Sequence, residues 1–245
     1  IFFSKYKKKI KMSISIISLL FLIINFTYGK LVISKFEKTD EENLKYKIKI
    51  ISPNIKIDRF FANEDTENFI LELIQIAKPK YSDKTIFIFP EGILSSIYLH
   101  DLKKYSKLFI KNFSLQHKII LGINSFENSN IYNSMVLLDN NLNILNKYNK
   151  NKLVLFGEYL PFESFLNKFG LKKITQGYQS FSSDDERLTI KVENIIFMPL
   201  ICYEIIYSGK INKINDHFNF ILNISEDGWF GDTVGPYQHF SHSIF

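Results

Sequence analysis

Three polar residues stand where apolar runs of the sequence give out. Glu91 closes IFIFPE (Ile86–Glu91), Cys202 closes IIFMPLIC (Ile195–Cys202), and Lys150 lies in YNKNKLVLFGEY (Tyr148–Tyr159). In a buried sheet, strand ends are where side chains leave the core and meet loops, so chemistry gathers there. The chemistry open to these three types is nucleophilic acyl transfer. A thiolate attacks a carbonyl carbon, but a free thiol is mostly protonated at neutral pH. A carboxylate within reach takes its proton. A nearby ammonium favours the thiolate and stabilises the oxyanion of the tetrahedral intermediate. Each residue also has a plainer reading. Cys202 is the single cysteine of the chain and fits a small core hydrophobe. Glu91 fits a helix cap, and Lys150 fits a solvated surface charge. Type and position alone leave both readings open.

The elements that must position these residues alternate between two periods. YKIKII (Tyr46–Ile51) alternates as a strand does, and 64–77 has helical spacing of apolar residues. KTIFIFPEG (Lys84–Gly92) predicts a buried strand stopped at Pro90, followed by a helix over 99–113. Strands are expected at 118–124 and 132–139, with DNNLN (Asp139–Asn143) as the turn to the next. IKVENIIFMPLIC predicts two strands broken at Glu193–Asn194, and FNFILNIS (Phe218–Ser225) one more. Fully apolar strands alternating with helices imply an α/β layered fold with a buried sheet.

At 245 residues and 46% hydrophobic, the chain is long enough for one large domain with a full core. Its net charge of +6 comes from scattered lysines, many flanked by acids, and not from a basic stripe interleaved with aromatics. Nucleic acid is therefore not an expected partner. A single cysteine excludes an intrachain disulfide. Asp, Glu and His show no metal-ligand spacing such as His-Glu-x-x-His, so no metal is expected. The N-terminus reads as a basic flank, KYKKKIK, followed by the uncharged MSISIISLLFLIINFTYG (Met12–Gly29). Both a membrane span and a cleaved signal fit that order. The lysines favour a cytoplasmic N-terminus, which puts the chain beyond Gly29 across the membrane. Three segments are expected: 1–29 as basic flank and apolar segment, 30–45 as a linker, and 46–245 as the catalytic domain.

Taken in order, five segments resemble the nitrilase superfamily and, more narrowly, its apolipoprotein N-acyltransferase family. They are ISPNI (Ile51–Ile55), FPEG (Phe89–Gly92), YNKNKLVLFGEYLPFE (Tyr148–Glu163), ICYE (Ile201–Glu204) and NISEDGWFGDTVGPYQHF (Asn223–Phe240). The resemblance implies an α-β-β-α sandwich carrying a Glu91, Lys150, Cys202 triad. It selects Lys150 over Lys152, which falls where the family often has His. It also implies supporting roles for Glu158, Glu204 and Tyr203, and a substrate-lining role for Trp229 and Phe230. The implied reaction needs no cofactor: a phospholipid donates an acyl chain to Cys202, and a diacylglyceryl-modified apolipoprotein accepts it on its α-amino group. The implied place is the bacterial inner membrane, with the catalytic domain on the periplasmic side and C-terminally incomplete. Phe89 stands for the family's Trp, Leu155 for a Pro and Glu226 for an Asn, all peripheral to the triad.

Independently of the family, YLPFESFLNKFG (Tyr159–Gly170) places Leu160, Phe162, Phe165, Leu166 and Phe169 beside the lysine segment. Such a stretch serves either as a membrane-facing lid or as core. Two rival functions remain at this level. An amidase would use the same triad with water as acceptor and a polar pocket. An anchored binding module would keep the residues without the chemistry.

Overall fold

Apolar side chains alternate between two faces of one sheet, and that alternation builds the layers. The computed structural model of the protein describes residues 7–36, 45–54, 65–161, 180–207 and 217–244. Contacts divide the chain into two units, 1–43 and 44–245.

The first unit contains α1 (Lys8–Phe36), whose residues 8–34 are long and apolar enough to cross a membrane. At 1.5 Å per residue, such a helix spans about 40 Å. Three of its polar side chains bond back to the helix backbone. Asn25 donates to the Phe21 carbonyl, Thr27 to those of Ile23 and Ile24, and Ser34 to that of Leu31. Each thereby satisfies its donor without water. The helix continues past Gly29 to Phe36, so the start of the stretch expected as a linker is helical; no turn residue interrupts 30–36.

In the second unit, β1 (Lys47–Ile50), β2 (Thr85–Ile88), β3 (Lys118–Glu127), β4 (Asn130–Leu138) and β5 (Ile144–Asn149) form a five-stranded sheet in that order. β1, β2 and β3 are parallel; β4 and β5 follow as antiparallel hairpins. A second sheet joins β6 (Ile190–Val192) antiparallel to β7 (Ile195–Ile201), and β7 parallel to β8 (Phe220–Ile224).

Odd and even positions of the first sheet face different partners. Phe87, Ile119, Leu121, Val136 and Leu138 pack with Phe69, Ile70, Leu73 and Ile74 of α2 (Thr66–Ala77) and with Phe109 of α3 (Ser106–Asn112). Ile86, Ile88, Ile120, Met135, Leu137 and Tyr148 face the other way, onto Ile190, Phe197, Ile201, Leu222 and Ile224 of the second sheet. On the outer face of that second sheet, Met198 and Leu200 pack with Ile205 and Phe218. This is the layered α/β sandwich that the strand pattern predicts.

Local chemistry sets the ends of the elements. Asp65 caps α2, its carboxylate accepting from the N–H groups of Glu67 and Asn68. Asp139 closes the β4–β5 turn by accepting from the N–H groups of Asn141 and Asn143. The stretch expected as one helix over 99–113 instead begins as a 3-10 helix (Leu99–Tyr105) and becomes α-helical only at Ser106. Two further elements lacked a recognised signal: a 3-10 turn over Asp227–Phe230 and α4 (Gly235–Ile244).

Candidate active site

Glu91, Lys150 and Cys202 come from three different strand ends and line one cavity of about 170 Å³. Tyr203, Trp229 and Phe230 line it too, as do Glu158 and Glu226. The structure therefore brings together every residue that the resemblance singled out except Glu204, which lies buried behind the site.

Glu91 follows Pro90, which removes a backbone donor and ends β2. The turn lies tightly against β3: the Gly122 N–H donates to the Pro90 carbonyl at 3.2 Å, and the Ile93 N–H to the Gly122 carbonyl at 3.1 Å. A Cβ on Gly122 would stand 2.5 Å from the Glu91 Cα, so only glycine admits this approach. No regular helix follows Glu91; residues 91–96 form a turn, which sets aside the helix-cap reading. The carboxylate is pinned from two sides. Oε1 accepts from Asn133 Nδ2 at 2.7 Å and from Lys150 Nζ at 3.4 Å, and Oε2 accepts from the Glu226 N–H at 3.0 Å.

Lys150 directly follows β5 and is 1% exposed, which sets aside the surface-charge reading. Its N–H donates to the Asn133 carbonyl at 2.8 Å, and its ammonium donates to Glu158 Oε1 at 2.8 Å. A buried ammonium demands paired charge. Burial alone would drive it toward the neutral amine, but Glu91 and Glu158 outweigh that and hold Lys150 above the ordinary lysine range. Glu158 reaches it because 154–159 folds back on itself: the Glu158 N–H donates to the Val154 carbonyl, and the Val154 N–H to Glu158 Oε2. Lys152, the alternative lysine, contributes its backbone N–H to Glu204 instead.

Cys202 begins a 3-10 turn at the end of β7, with a positive φ of 54°. For a residue with a Cβ this conformation costs about 1–3 kcal/mol and needs support from its surroundings. Burial pushes the thiol up and the Glu91 charge adds to that, against the Lys150 charge and a hydrogen bond with Ser225. The resting form is therefore the thiol.

Glu204 binds the two sheets together behind the site. It accepts from the Tyr148 hydroxyl at 2.9 Å, from the N–H groups of Asn151 and Lys152 at 2.8 and 2.9 Å, and from the Ile201 N–H at 2.9 Å. One carboxylate thus fixes the strand before the thiol against the strand and loop that carry the lysine. Burial still raises its carboxyl, against these donors and the Lys150 charge. Its role is registration of the two strand ends.

Tyr203 stacks on His239 with ring centroids 4.9 Å apart and lies 5.9 Å from Phe230. Trp229 is 41% exposed at the cavity edge. Of the apolar stretch after the lysine segment, Leu160 is buried, which fits core; Phe162, Phe165, Leu166 and Phe169 lie outside the described residues.

Sequence reasoning missed Asn133. Its amide donates to both Glu91 (2.7 Å) and Glu158 (2.9 Å), and its carbonyl receives the Lys150 N–H. The available signal was an amide just ahead of the apolar MVLL run on β4.

With this geometry in place, the chain can be set beside known proteins. The carbon-nitrogen hydrolase family matches residues 61–243. The apolipoprotein N-acyltransferase of Wigglesworthia glossinidia brevipalpis is 34% identical over 97% of this chain and 47% of that protein. That of Brucella suis biovar 1 is 41% identical over 44% of this chain and 21% of that protein. The chain thus spans less than half the length of these relatives. The carbon-nitrogen hydrolase from Helicobacter pylori G27 aligns with a TM-score of 0.47 and 14% identity, over 80% of this chain and 65% of that one.

Proposed function

The chain belongs to the carbon-nitrogen hydrolase family, and from that premise we propose that it carries the catalytic part of an apolipoprotein N-acyltransferase, with Glu91, Lys150 and Cys202 as the working triad. The observation that carries this reading is the extent of the likeness to the Wigglesworthia enzyme. It covers 97% of the chain, more than the 61–243 that match the hydrolase family as a whole. An amidase of the same family would share the hydrolase portion alone.

The residues suit two successive acyl transfers. Glu91 takes the proton of the Cys202 thiol as Sγ attacks an ester carbonyl of a phospholipid. The Lys150 ammonium, held charged by Glu91 and Glu158, faces the oxyanion. The carbon–oxygen ester bond then breaks, Glu91 returns the proton to the departing alkoxide, and a thioester remains on Cys202. The α-amino group of a diacylglyceryl-modified apolipoprotein attacks that thioester. Glu91 accepts the amine proton, the carbon–sulfur bond breaks, and the proton returns to the thiol. Trp229 and Phe230 offer apolar contact to the acyl chain at the cavity edge. The span-length α1 suits attachment to the bacterial inner membrane, with the catalytic unit on the periplasmic side.

The test is intact-mass analysis of the full chain after incubation with phosphatidylethanolamine vesicles, beside Cys202→Ala. The expected result is a mass gain of one acyl chain that hydroxylamine removes and the alanine variant lacks. A chain that instead hydrolyses small amides and takes no acyl group from lipid would replace this reading with the amidase.

A further inference from the structure

No step above uses His239, yet it is 3% exposed and sits directly against the nucleophile's backbone. It lies on α4. Its Nδ1 is 2.8 Å from Asp227 Oδ1, and its Nε2 is 3.1 Å from the carbonyl oxygen of Cys202. Ser225 Oγ donates to the same Asp227 oxygen at 2.6 Å. The ring lies flat on Tyr203, the residue after the nucleophile, with an interplanar angle of 5°.

The location gives these contacts their meaning. Cys202 holds a left-handed backbone conformation that its Cβ disfavours, so the structure must hold it on both sides. On the N-terminal side, Glu204 accepts the Ile201 N–H, and β7 pairs Ile201 with Ile224. On the C-terminal side, the Cys202 carbonyl opens the 3-10 turn and, in addition, meets the His239 ring. A carbonyl oxygen only accepts, so this bond needs a proton on Nε2. Asp227 Oδ1 lies at Nδ1 on the opposite edge of the ring and fixes its orientation.

We infer that His239, oriented by Asp227, is a positioning residue: its Nε2–H holds the Cys202 carbonyl, and this sets the direction of the thiol towards Glu91 and Lys150. The inference rests on Cys202 being the nucleophile proposed above. A histidine that merely fills space would make the same contacts, so the test must separate its two nitrogens. Gln places an amide N–H near the position of Nε2, and Asn places one near that of Nδ1. His239→Gln therefore retains the bond to the Cys202 carbonyl, and His239→Asn retains only the one to Asp227.

The experiment compares acyl-adduct formation from phosphatidylethanolamine vesicles in the full-length wild type, His239→Gln and His239→Asn. His239→Gln is expected within about threefold of wild type. His239→Asn is expected to be slower by about 10- to 100-fold at saturating lipid, with unchanged lipid dependence, the size expected of a misplaced nucleophile. Equal rates for the two variants, whether both fast or both slow, overturn the inference. Iodoacetamide alkylation of Cys202 in the same proteins reads thiol placement without lipid chemistry. A wild type that never acylates but shows the Asn–Gln split in alkylation overturns the acyl-transfer reading alone. Nitrogen-15 spectra of histidine-labelled wild type need no variant to fold. They are expected to show a proton on His239 Nε2, and a bare Nε2 overturns the inference.

Discussion

Asn133 makes the clearest case at the scale of single residues. Glu91 and Glu158 are two carboxylates sharing one ammonium, an arrangement in which like charges repel. The Asn133 amide donates to one oxygen of each, and so holds the pair in place without adding charge. Asn133→Ala removes both donors from a buried site and frees Glu91 to turn. Acyl-adduct formation is expected to fall about 10- to 100-fold, equivalent to about 1.4–2.7 kcal/mol of barrier. Burst kinetics with phospholipid vesicles would measure it, and an unchanged burst rate would show that Glu91 needs no such support. Asn133→Asp should be worse than Asn133→Ala, because it replaces two donors with a third negative charge.

At the scale of elements, the site depends on how closely two strand ends approach, and Gly122 sets one of those distances. A methyl group there would meet backbone atoms of Glu91 and its neighbours, which cannot swing aside as a side chain can. Gly122→Ala is expected to cost about 1–3 kcal/mol of stability, as overpacking does, and to displace Glu91. Thermal unfolding and the acyl burst should therefore fall together; a variant with normal stability and a normal burst would refute the close packing. This scale also shows what the sequence makes legible. The strands are, because β2, β3, β4 and β7 are buried on both faces and read as continuous apolar runs. Glu91, Lys150 and Cys202 are, because polar residues at the ends of such runs stand out. The work of Asn133 is not, because an amide within a strand carries no mark of its partners on two other segments. The register that Glu204 imposes is equally hidden, because it links residues more than fifty positions apart. The change from 3-10 to α-helix at Ser106 has no periodicity signal either, since both forms place apolar residues three or four apart.

At the scale of the whole molecule, three buried groups share a direction. Burial, followed by the Glu204 charge, raises the Tyr148 hydroxyl; burial and Glu91 raise the Cys202 thiol; Glu91 and Glu158 raise the Lys150 ammonium against burial. The ordinary values of these groups are 10.0, 9.0 and 10.5. Above about pH 9 the unfolded chain therefore releases first the thiol proton and then the other two, and the folded chain keeps all three. Because the folded state then binds more protons, stability falls as pH rises, by about 1.4 kcal/mol per pH unit for each proton so retained. The contribution is complete below pH 9 and is lost progressively in alkali. Unfolding midpoints of the full chain between pH 8 and 11 should decline, steepening above pH 10 as Tyr148 and Lys150 join. Cys202→Ala should remove the first part of the decline and leave the steeper part. A midpoint that stayed level to pH 11 would mean that water reaches these groups in the folded state. The same burial that pushes the Cys202 thiol up would then be absent, and the proposed role of Glu91 as its base would lose its ground.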